Sequence, residues 1–254
     1  MPGIALLFLW SLREYVFNTF CWGWRIGYHF YESKSDAQGN GANGPAGACN
    51  GNFVGIGADM VAISVLVEAT QPYGLLITNG EFTAFQPGRA GKVDVSNITD
   101  VPTTVLVTPG YTGGVAAPSN LPCNKFCGVK VSFVNCAFWG SNDVKANIST
   151  SYEHAVVDFK DSSFFDWDLH HNDSYAIVAE DSGSITVTGC EFRQDAPQVL
   201  IGPNVRRAVV TGNLYEGLQR IDVQGGGRDE VVVANNAGAD FKGKRQLQRA
   251  ARIY

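Results

Sequence analysis

The sequence predicts an all-β solenoid, and three observations lead to this fold class. Segments in which apolar and small polar residues alternate recur along the chain, which is the periodicity of β-strands. Most of them repeat at intervals of 23 to 28 residues, within the range typical of solenoids. Gly, Asn and Ser stand at the ends of the segments, and no long 3.6-residue pattern occurs. Each repeat therefore forms one turn, or rung, of a β-solenoid.

Length and composition agree with a single all-β domain and exclude several other classes. The chain has 254 residues, a formal charge of −5, 45% hydrophobic residues and 17% charged residues. The hydrophobic fraction excludes a disordered chain, and the shortage of charge argues against a coiled coil or helical bundle. Six cysteines are too few for a disulfide scaffold, and a mildly acidic chain is a poor nucleic-acid binder. We therefore expect no nucleic-acid partner.

The first element is a short apolar segment, Ile4–Trp10. A membrane-spanning helix needs about 20 apolar residues, and this segment is much shorter. A signal peptide would need a basic region and a small-residue cleavage site, and neither is visible. We expect a buried strand or a sheet edge here, consistent with a missing upstream cap of a longer helix, and no membrane partner.

The repeat is clearest where each strand reaches a small or amide residue and then an aromatic one. The small positions align as Gly80, Cys136, Ser162, Cys190, Asn213 and Asn236. The terminal positions align as Phe82, Phe138, Phe164, Phe192, Tyr215 and Gly238. The terminal positions are spaced by 56, 26, 28, 23 and 23 residues, and the first interval fits two turns of which one carries an insertion. Equivalent residues should stack between rungs about 4.8 Å apart.

A second strand precedes the first in each unit. Ser64–Phe82 aligns without gaps on Ser174–Phe192, so one unit is strand, corner, strand, corner. The residues predicted to point inward are Val131, Phe133, Val157, Phe159, Ile185 and Val187. Those predicted to point outward are Ser132, Asp158, Thr186 and Val209. The phenylalanine column is then an internal stack, and about eight rungs of roughly 23 residues account for most of the chain.

Two long polar insertions interrupt the repeat, Tyr31–Asn52 and Thr108–Gly128. Both follow the upstream strand of their rung, so they should leave the same corner, about two rungs apart, and together wall a groove. The alternative is that the insertions have no binding role or form a contact between copies of the chain. After the helix domain, residues 1–240, the tail 241–254 carries five basic residues and no acidic residue. A solvated tail or a short closing helix is expected there.

The cysteines do not decide the redox compartment. Cys136 and Cys190 occupy ladder positions two rungs apart, roughly 9–10 Å, which is too far for a disulfide. A bridge from Cys49 to Cys123 or Cys127, across the two insertions, is an open alternative. Cys123-x-x-x-Cys127 is a weak zinc motif because no second pair accompanies it.

The rung length and the V-x-x-x-N/G-C-x-F phrase resemble right-handed parallel β-helices of the pectate-lyase and family 28 glycoside hydrolase superfamily. The runs YVFNTFCWGWRIGYHF, NFVGIGAD and SVLVEATQPYGLLITNGEFTAF are similar to uncharacterised bacterial members. This resemblance covers most of residues 13–238. It implies a right-handed parallel β-helix, an extracellular or periplasmic location and a polysaccharide substrate. The N-T-D, D-D, G-H-G and R-I-K phrases of polygalacturonase-like hydrolases are not found.

One corner concentrates chemically active side chains on three consecutive rungs. The candidate catalytic carboxylates are Asp143, Asp166, Asp168 and Asp195. The candidate substrate-binding residues are Trp139, Trp167, Arg193, His170 and His171. Glycoside hydrolysis needs two carboxylates, about 5.5 Å apart for retention or about 6.5–9.5 Å for inversion, and stacked rungs can supply either distance. Indoles would stack on sugars, and Arg193 would pair with a uronate.

Several alternatives to a hydrolase stay open. Each Asp suits a turn without any activity, because its carboxylate bonds nearby backbone. Asp168, His170, His171 and Asp173 are suitable metal ligands, but neighbouring histidines on a strand point apart, so we expect no metal and no cofactor unless a lyase uses a divalent cation. A weaker carboxylate group is Glu68, Glu180 and Asp181. Polysaccharide β-elimination and a non-catalytic, tailspike-like β-helix are the competing functions, and a homo-oligomer is an open possibility.

Overall fold

The computed structural model describes residues 4–8, 14–31, 49–85, 102–108, 129–140, 142–150, 154–224 and 230–239. Within these ranges the chain forms 22 strands and no helix, and every strand pair between rungs is parallel. The strands stack in eight rungs, so the chain is a parallel β-helix, as the repeat predicts. The described residues contain no helix long and apolar enough to cross a membrane.

Each rung contributes one strand to each of three faces of the helix. Face 1 consists of β1 (Ile4–Phe8), β4 (Ile26–Phe30), β7 (Ile63–Val67), β10 (Thr103–Val107), β13 (Val144–Ser149), the first parts of β16 (Ile177–Thr188) and β18 (Val199–Thr211), and β20 (Ile221–Val223). Face 2 consists of β2 (Glu14–Phe17), β5 (Cys49–Val54), β8 (Thr70–Thr78), β11 (Lys130–Val134), β14 (Val156–Lys160), the second parts of β16 and β18, and β21 (Val231–Ala234). Because β16 and β18 continue around the corner, faces 1 and 2 form one 14-stranded sheet.

Face 3 is a separate sheet of eight short strands. They are β3 (Phe20–Trp22), β6 (Gly57–Val61), β9 (Glu81–Ala84), β12 (Ala137–Trp139), β15 (Ser163–Phe164), β17 (Glu191–Phe192), β19 (Leu214–Glu216) and β22 (Ala237–Ala239). The predicted unit of two strands was therefore wrong, because the aromatic that ends each repeat lies on a third strand. At two or three residues, most of these strands are too short to show periodicity in the sequence.

The sharp corner between faces 2 and 3 explains the Asn and Gly of the repeat. In every rung the residue at this corner has a left-handed backbone, with φ between 49° and 69°. These residues are Asn18, Gly55, Asn79, Asn135, Asp161, Gly189, Gly212 and Asn235. Gly adopts this conformation without strain, and Asn and Asp tolerate it better than other side chains. The turn then sends the chain directly into face 3.

The long interval between Phe82 and Phe138 is one rung and not two. Phe138 pairs directly with Phe82 in face 3, so their 56-residue separation is a single circuit of the helix. Residues 86–101 and 109–128 fall within this circuit, on either side of β10, and lie outside the described residues. The total of about eight rungs is still as predicted, because strands within residues 4–30 form rungs in addition to those of the repeat.

The predicted core is confirmed. All six residues predicted to point inward on face 2 are buried. The aromatic column is an internal stack, with ring centroids 5.9 Å apart for Phe82 and Phe138, and 4.9 Å apart for Phe138 and Phe164. Val209 is exposed as expected. Asp158, also predicted to point outward, is mostly covered because it accepts a hydrogen bond from Ser132 at 2.8 Å and pairs with Lys160.

The small residues form a buried hydrogen-bond ladder beside this stack. The backbone N–H of Gly80 donates to Cys136 Sγ at 3.4 Å, and that of Cys136 donates to Ser162 Oγ at 3.1 Å. The N–H of Cys190 likewise donates to Asn213 Oδ1 at 2.9 Å. Cys136 and Cys190 are free thiols two rungs apart, and burial raises the pKa of Cys136 to about 11. The side chains of Cys49, Cys123 and Cys127 lie outside the described residues.

The strands around the two insertions confirm their shared corner. The first insertion connects β4 to β5 and the second connects β10 to β11, so both leave between faces 1 and 2, two rungs apart. Most of their residues, 32–48 and 109–128, lie outside the described residues, as does the basic tail. The apolar start forms β1, which pairs with β4 at the edge of the described sheet.

Candidate functional site

The corner between faces 3 and 1 brings the predicted catalytic carboxylates to neighbouring rungs. Phe138, Phe164 and Phe192 pair in register on face 3, immediately before the three turns. On face 1 the register resumes with Ala146 beside Ile177, and Ile177 beside Val199. Asp143, Asp166, Asp168 and Asp195 therefore lie on three consecutive rungs, as predicted. We call this group the acidic corner.

A buried lysine that the sequence reasoning missed lies within the acidic corner. Lys145 is on β13 beside the inward-facing Ala146, so it points outward, yet it is fully buried beneath the turns. Its Nζ donates to the carbonyl of Gly140, to Asn142 Oδ1 and, at 3.0 Å, to the carbonyl of Asp166. The only signal in the sequence is a lone lysine in the strand VKANIS, directly after Asn142 and Asp143.

The Lys145 ammonium bonds the backbone of Asp166 on the next rung, and two carboxylates from adjacent rungs act on it through their charge. Burial removes its hydration and lowers its pKa to about 7, and the negative charges of Asp166 and Asp143 oppose this shift. Both carboxylates are therefore within electrostatic reach of one buried cation. Asp166 is exposed and has a left-handed backbone with φ 52°, so its carboxylate is accessible from solvent.

Asp143 is held in place by His170. Its Oδ2 lies 2.7 Å from His170 Nδ1, and its Oδ1 accepts the backbone N–H of His170 at 3.0 Å. The histidine side chain is 52% exposed, whereas that of Asp143 is 23% exposed. A histidine and a carboxylate in contact at the surface can accept, donate or relay a proton. The two contacts also fix the carboxylate relative to the loop that follows β15.

Asp168 and His171 form hydrogen bonds within the loop that contains them. Asp168 is 5% exposed, and its Oδ1 accepts the backbone N–H groups of Asn172 and Ser174 at 2.9 and 3.0 Å. This is the turn chemistry that the sequence allowed as the alternative to catalysis. His171 is exposed at φ 53°, and its backbone N–H donates to the carbonyl of Asp168. The Asp168 carboxylate is therefore engaged by the turn and is buried away from solvent.

The two tryptophans have different environments. Trp167 is 1% exposed, its Nε1 donates to the carbonyl of Pro197 at 2.7 Å, and its ring packs edge-on against Phe192. It presents no ring face to a sugar, so the predicted stacking role does not suit it. Trp139 is half-buried on face 3 and pairs with Thr83, which leaves part of its indole accessible.

The third rung carries surface ion pairs. Arg193 donates to Glu191 Oε2 from Nε at 2.9 Å and from a terminal nitrogen at 2.5 Å. Asp195 accepts from Arg220 at 2.6 Å. A ligand carboxylate would have to displace Glu191 to bind Arg193, and Asp195 is already ion-paired with Arg220. Of the predicted catalytic and binding residues with ionisable side chains, Asp143, Asp166 and His170 therefore remain as a group at the surface of the corner.

The buried Lys145 predicts a pH dependence of stability. In the unfolded chain its pKa is near 10.5, whereas in the folded protein it is about 7. Between these values the unfolded state binds more protons, so stability should rise with pH by up to about 1.4 kcal/mol per pH unit from this group. We expect the free energy of unfolding of the wild type, measured in urea between pH 7 and pH 9, to increase relative to Lys145→Met. A difference between the two proteins that does not change with pH would contradict this.

The second, weaker carboxylate group lies at the corner between faces 1 and 2. Glu68 Oε1 lies 2.5 Å from His29 Nε2, so Glu68 is paired with a buried histidine of β4. Glu180 is exposed and Asp181 is half-buried at the same corner. Among the described residues, no group of three or more His, Cys, Asp or Glu is arranged to hold a metal ion.

Comparison with known proteins adds no family assignment. The chain matches no protein-family model, no curated protein and no solved structure. What is established is an all-β parallel solenoid with stacked sheets.

Proposed function

We propose that this protein is a carbohydrate-active enzyme that cleaves glycosidic bonds of an extracellular polysaccharide by hydrolysis, with Asp143 and Asp166 as its acid/base pair. The observation that carries the proposal is that Asp143 lies two residues before the buried Lys145, whose Nζ bonds the backbone carbonyl of Asp166 on the next rung at 3.0 Å. Hydrolysis needs two carboxylates in different environments so that one donates and the other accepts a proton. Asp143 contacts His170, whereas Asp166 is exposed, so their environments differ.

The same contacts suggest a role for each neighbour. His170 orients Asp143 through its ring nitrogen and its backbone N–H, which makes His170 a positioning residue. Protonated Lys145 places a positive charge near the two carboxylates, whereas neutral Lys145 does not. The electrostatic environment of both carboxylates therefore changes near pH 7. Half-buried Trp139 lies on the strand that leads into the corner and offers an apolar surface for a sugar. This arrangement is compatible with membership of the pectate-lyase-like superfamily and with action outside the cell, where polysaccharides are found.

Two other functions have specific observations in their favour. β-Elimination needs a base, and the lowered pKa of Lys145 suits one, but Lys145 is fully buried and its Nζ faces three acceptors. A non-catalytic glycan-binding helix is favoured by the internal contacts of Asp168 and by the ion pairs of Arg193 and Asp195. Hydrolysis remains the proposal because Asp143 and Asp166 are more accessible than Lys145.

A screen of charged and neutral polysaccharides tests the three functions together. The wild type is incubated with each polymer, and both new reducing ends and unsaturated sugar products are measured. Hydrolysis produces reducing ends without unsaturated products, elimination produces both, and a binding protein produces neither. New reducing ends without unsaturation are the expected result. If no polymer that the protein binds is cleaved, the hydrolase proposal fails.

A further inference from the structure

A groove of about 380 Å³ crosses the outer surface of face 2, away from the acidic corner. It spans β2, β5, β8 and β11, whose outward residues Tyr15, Asn52, Leu76 and Ser132 are aligned in register. It lies where the two long insertions enter face 2, since Asn50 is near the end of the first and Lys130 follows the second. The groove is therefore at a different corner of the helix from Asp143 and Asp166.

Two tyrosines are presented to solvent at this groove. Tyr15 is 62% exposed and Tyr73 is 83% exposed. Tyr73 lies in a bulge of β8, where Thr70 pairs with Cys49 and Leu75 already pairs with Gly51. The following Gly74 has φ 80°, and a Cβ there would lie 2.6 Å from the carbonyl of Lys130. Bulges redirect side chains, and the side chain redirected here is a large aromatic ring that faces solvent.

The polar lining of the groove has the chemistry of a sugar site. The amide of Asn50 donates to Gln71 Oε1 at 2.5 Å, and half-buried Asn52 and Ser132 provide further hydrogen-bonding groups. Among the described lining residues, the exposed Lys130 is the charged one, on a chain whose net charge is −5. Aromatic rings, amides and one cation complement an oligosaccharide that carries an anionic group.

We propose that this groove binds an anionic oligosaccharide, with Tyr15 and Tyr73 against the sugar rings and Lys130 beside the acidic group. The proposal does not rest on the proposed cleavage, because binding here requires none of the residues of the acidic corner. If cleavage also occurs, the groove keeps a polymer attached to the helix while another segment reaches the corner.

The test starts with an array of anionic and neutral oligosaccharides probed with the full chain. The tightest ligand is then titrated by calorimetry into the wild type, Tyr73→Ala and Lys130→Gln. We expect an anionic ligand, at least tenfold weaker binding to Tyr73→Ala, and a preference over the neutral analogue that Lys130→Gln loses. Tyr73 and Lys130 are exposed, so both variants should fold. Trp22→Ala, at another exposed aromatic, and Lys160→Gln, at another lysine of face 2, are matched controls that should bind normally.

Three results would overturn the proposal. They are the absence of binding to every oligosaccharide on the array, equal binding by Tyr73→Ala and the wild type, and a dimer in sedimentation that Tyr73→Ala dissociates. The last result would make the groove a contact between two copies of the chain. Asp143→Asn and Asp166→Asn should bind as the wild type does, so loss of cleavage and loss of groove binding are separate outcomes.

Discussion

Replacing Asp166 with asparagine is expected to lower polysaccharide cleavage by about 10²–10⁴-fold, the contribution typical of general acid–base catalysis. Asparagine keeps the size of the side chain and tolerates the left-handed backbone at this position, but it cannot exchange a proton. The Lys145 contact should persist, because Nζ bonds the backbone carbonyl of residue 166 and not its carboxylate. The measurement is the initial rate of reducing-end release from the polymer found in the screen, under first-order conditions.

Asp161→Asn is the matched control for this variant. Asp161 is also an exposed aspartate with a left-handed backbone, φ 49°, but it lies at the corner between faces 2 and 3. Its replacement should leave the rate within about twofold, because surface changes away from special contacts have small effects. Equal rates for the wild type and Asp166→Asn would contradict the assignment of Asp166.

Asp143→Asn should reduce the rate by a similar factor, and the double variant should lose less than the product of the two factors, because paired catalytic groups are not additive.

His170→Gln distinguishes positioning from folding. It should shift the pH profile of cleavage through its contact with Asp143 while leaving the free energy of unfolding nearly unchanged, since the His170 side chain is half-exposed.

Replacing Phe138 with alanine is expected to lower the free energy of unfolding by about 3–5 kcal/mol. The ring is fully buried and stacks on Phe82 below and on Phe164 above. It also packs edge-on against Phe133 and Phe159 across the core. Because the neighbouring rungs fix the backbone spacing, the walls can close only partly over the cavity, so both the burial and the stacking energy are lost.

The measurement is unfolding in urea, followed by intrinsic fluorescence. Phe17→Ala is the control, because Phe17 is 60% exposed on the outer side of β2 and should change stability by less than about 1 kcal/mol. Equal stability of the two variants would show that the aromatic column does not support the fold. If Phe138→Ala also destabilises neighbouring rungs, its free energy of unfolding should depend less steeply on urea concentration than that of the wild type. A solenoid is held together by nearest-neighbour contacts, so rungs next to the cavity can then unfold separately.

The β-helix was predictable because its information is local and repeated. Alternating residues mark each face 2 strand, and the Asn, Gly or Asp that follows supplies the left-handed corner in every rung. The third strand was missed because strands such as Ser163–Phe164 have no periodicity of their own. The 56-residue interval was misassigned because residue spacing alone cannot distinguish an extra rung from insertions within one rung.

The candidate site was predictable only as a neighbourhood. The repeat placed Asp143, Asp166 and Asp168 on adjacent rungs, but side chains of the same type took different roles there. The carboxylate of Asp168 turns inward to backbone N–H groups, whereas that of Asp166 remains exposed. Trp167 lies in the same acidic loop yet packs in the core. These orientations depend on the path of an irregular loop, which has no period that the sequence could reveal.

The sequence by itself determined the class of fold, the inward faces and the aromatic stack, since each follows from a short pattern repeated in every rung. The tertiary structure decided what is accessible and what is charged. Lys145 has no unusual sequence neighbours, and its lowered pKa arises because a turn from the next rung covers it. Desolvation depends on residues distant in the chain, so burial, pKa and the pairing of Asp143 with His170 became visible only when the rungs were stacked.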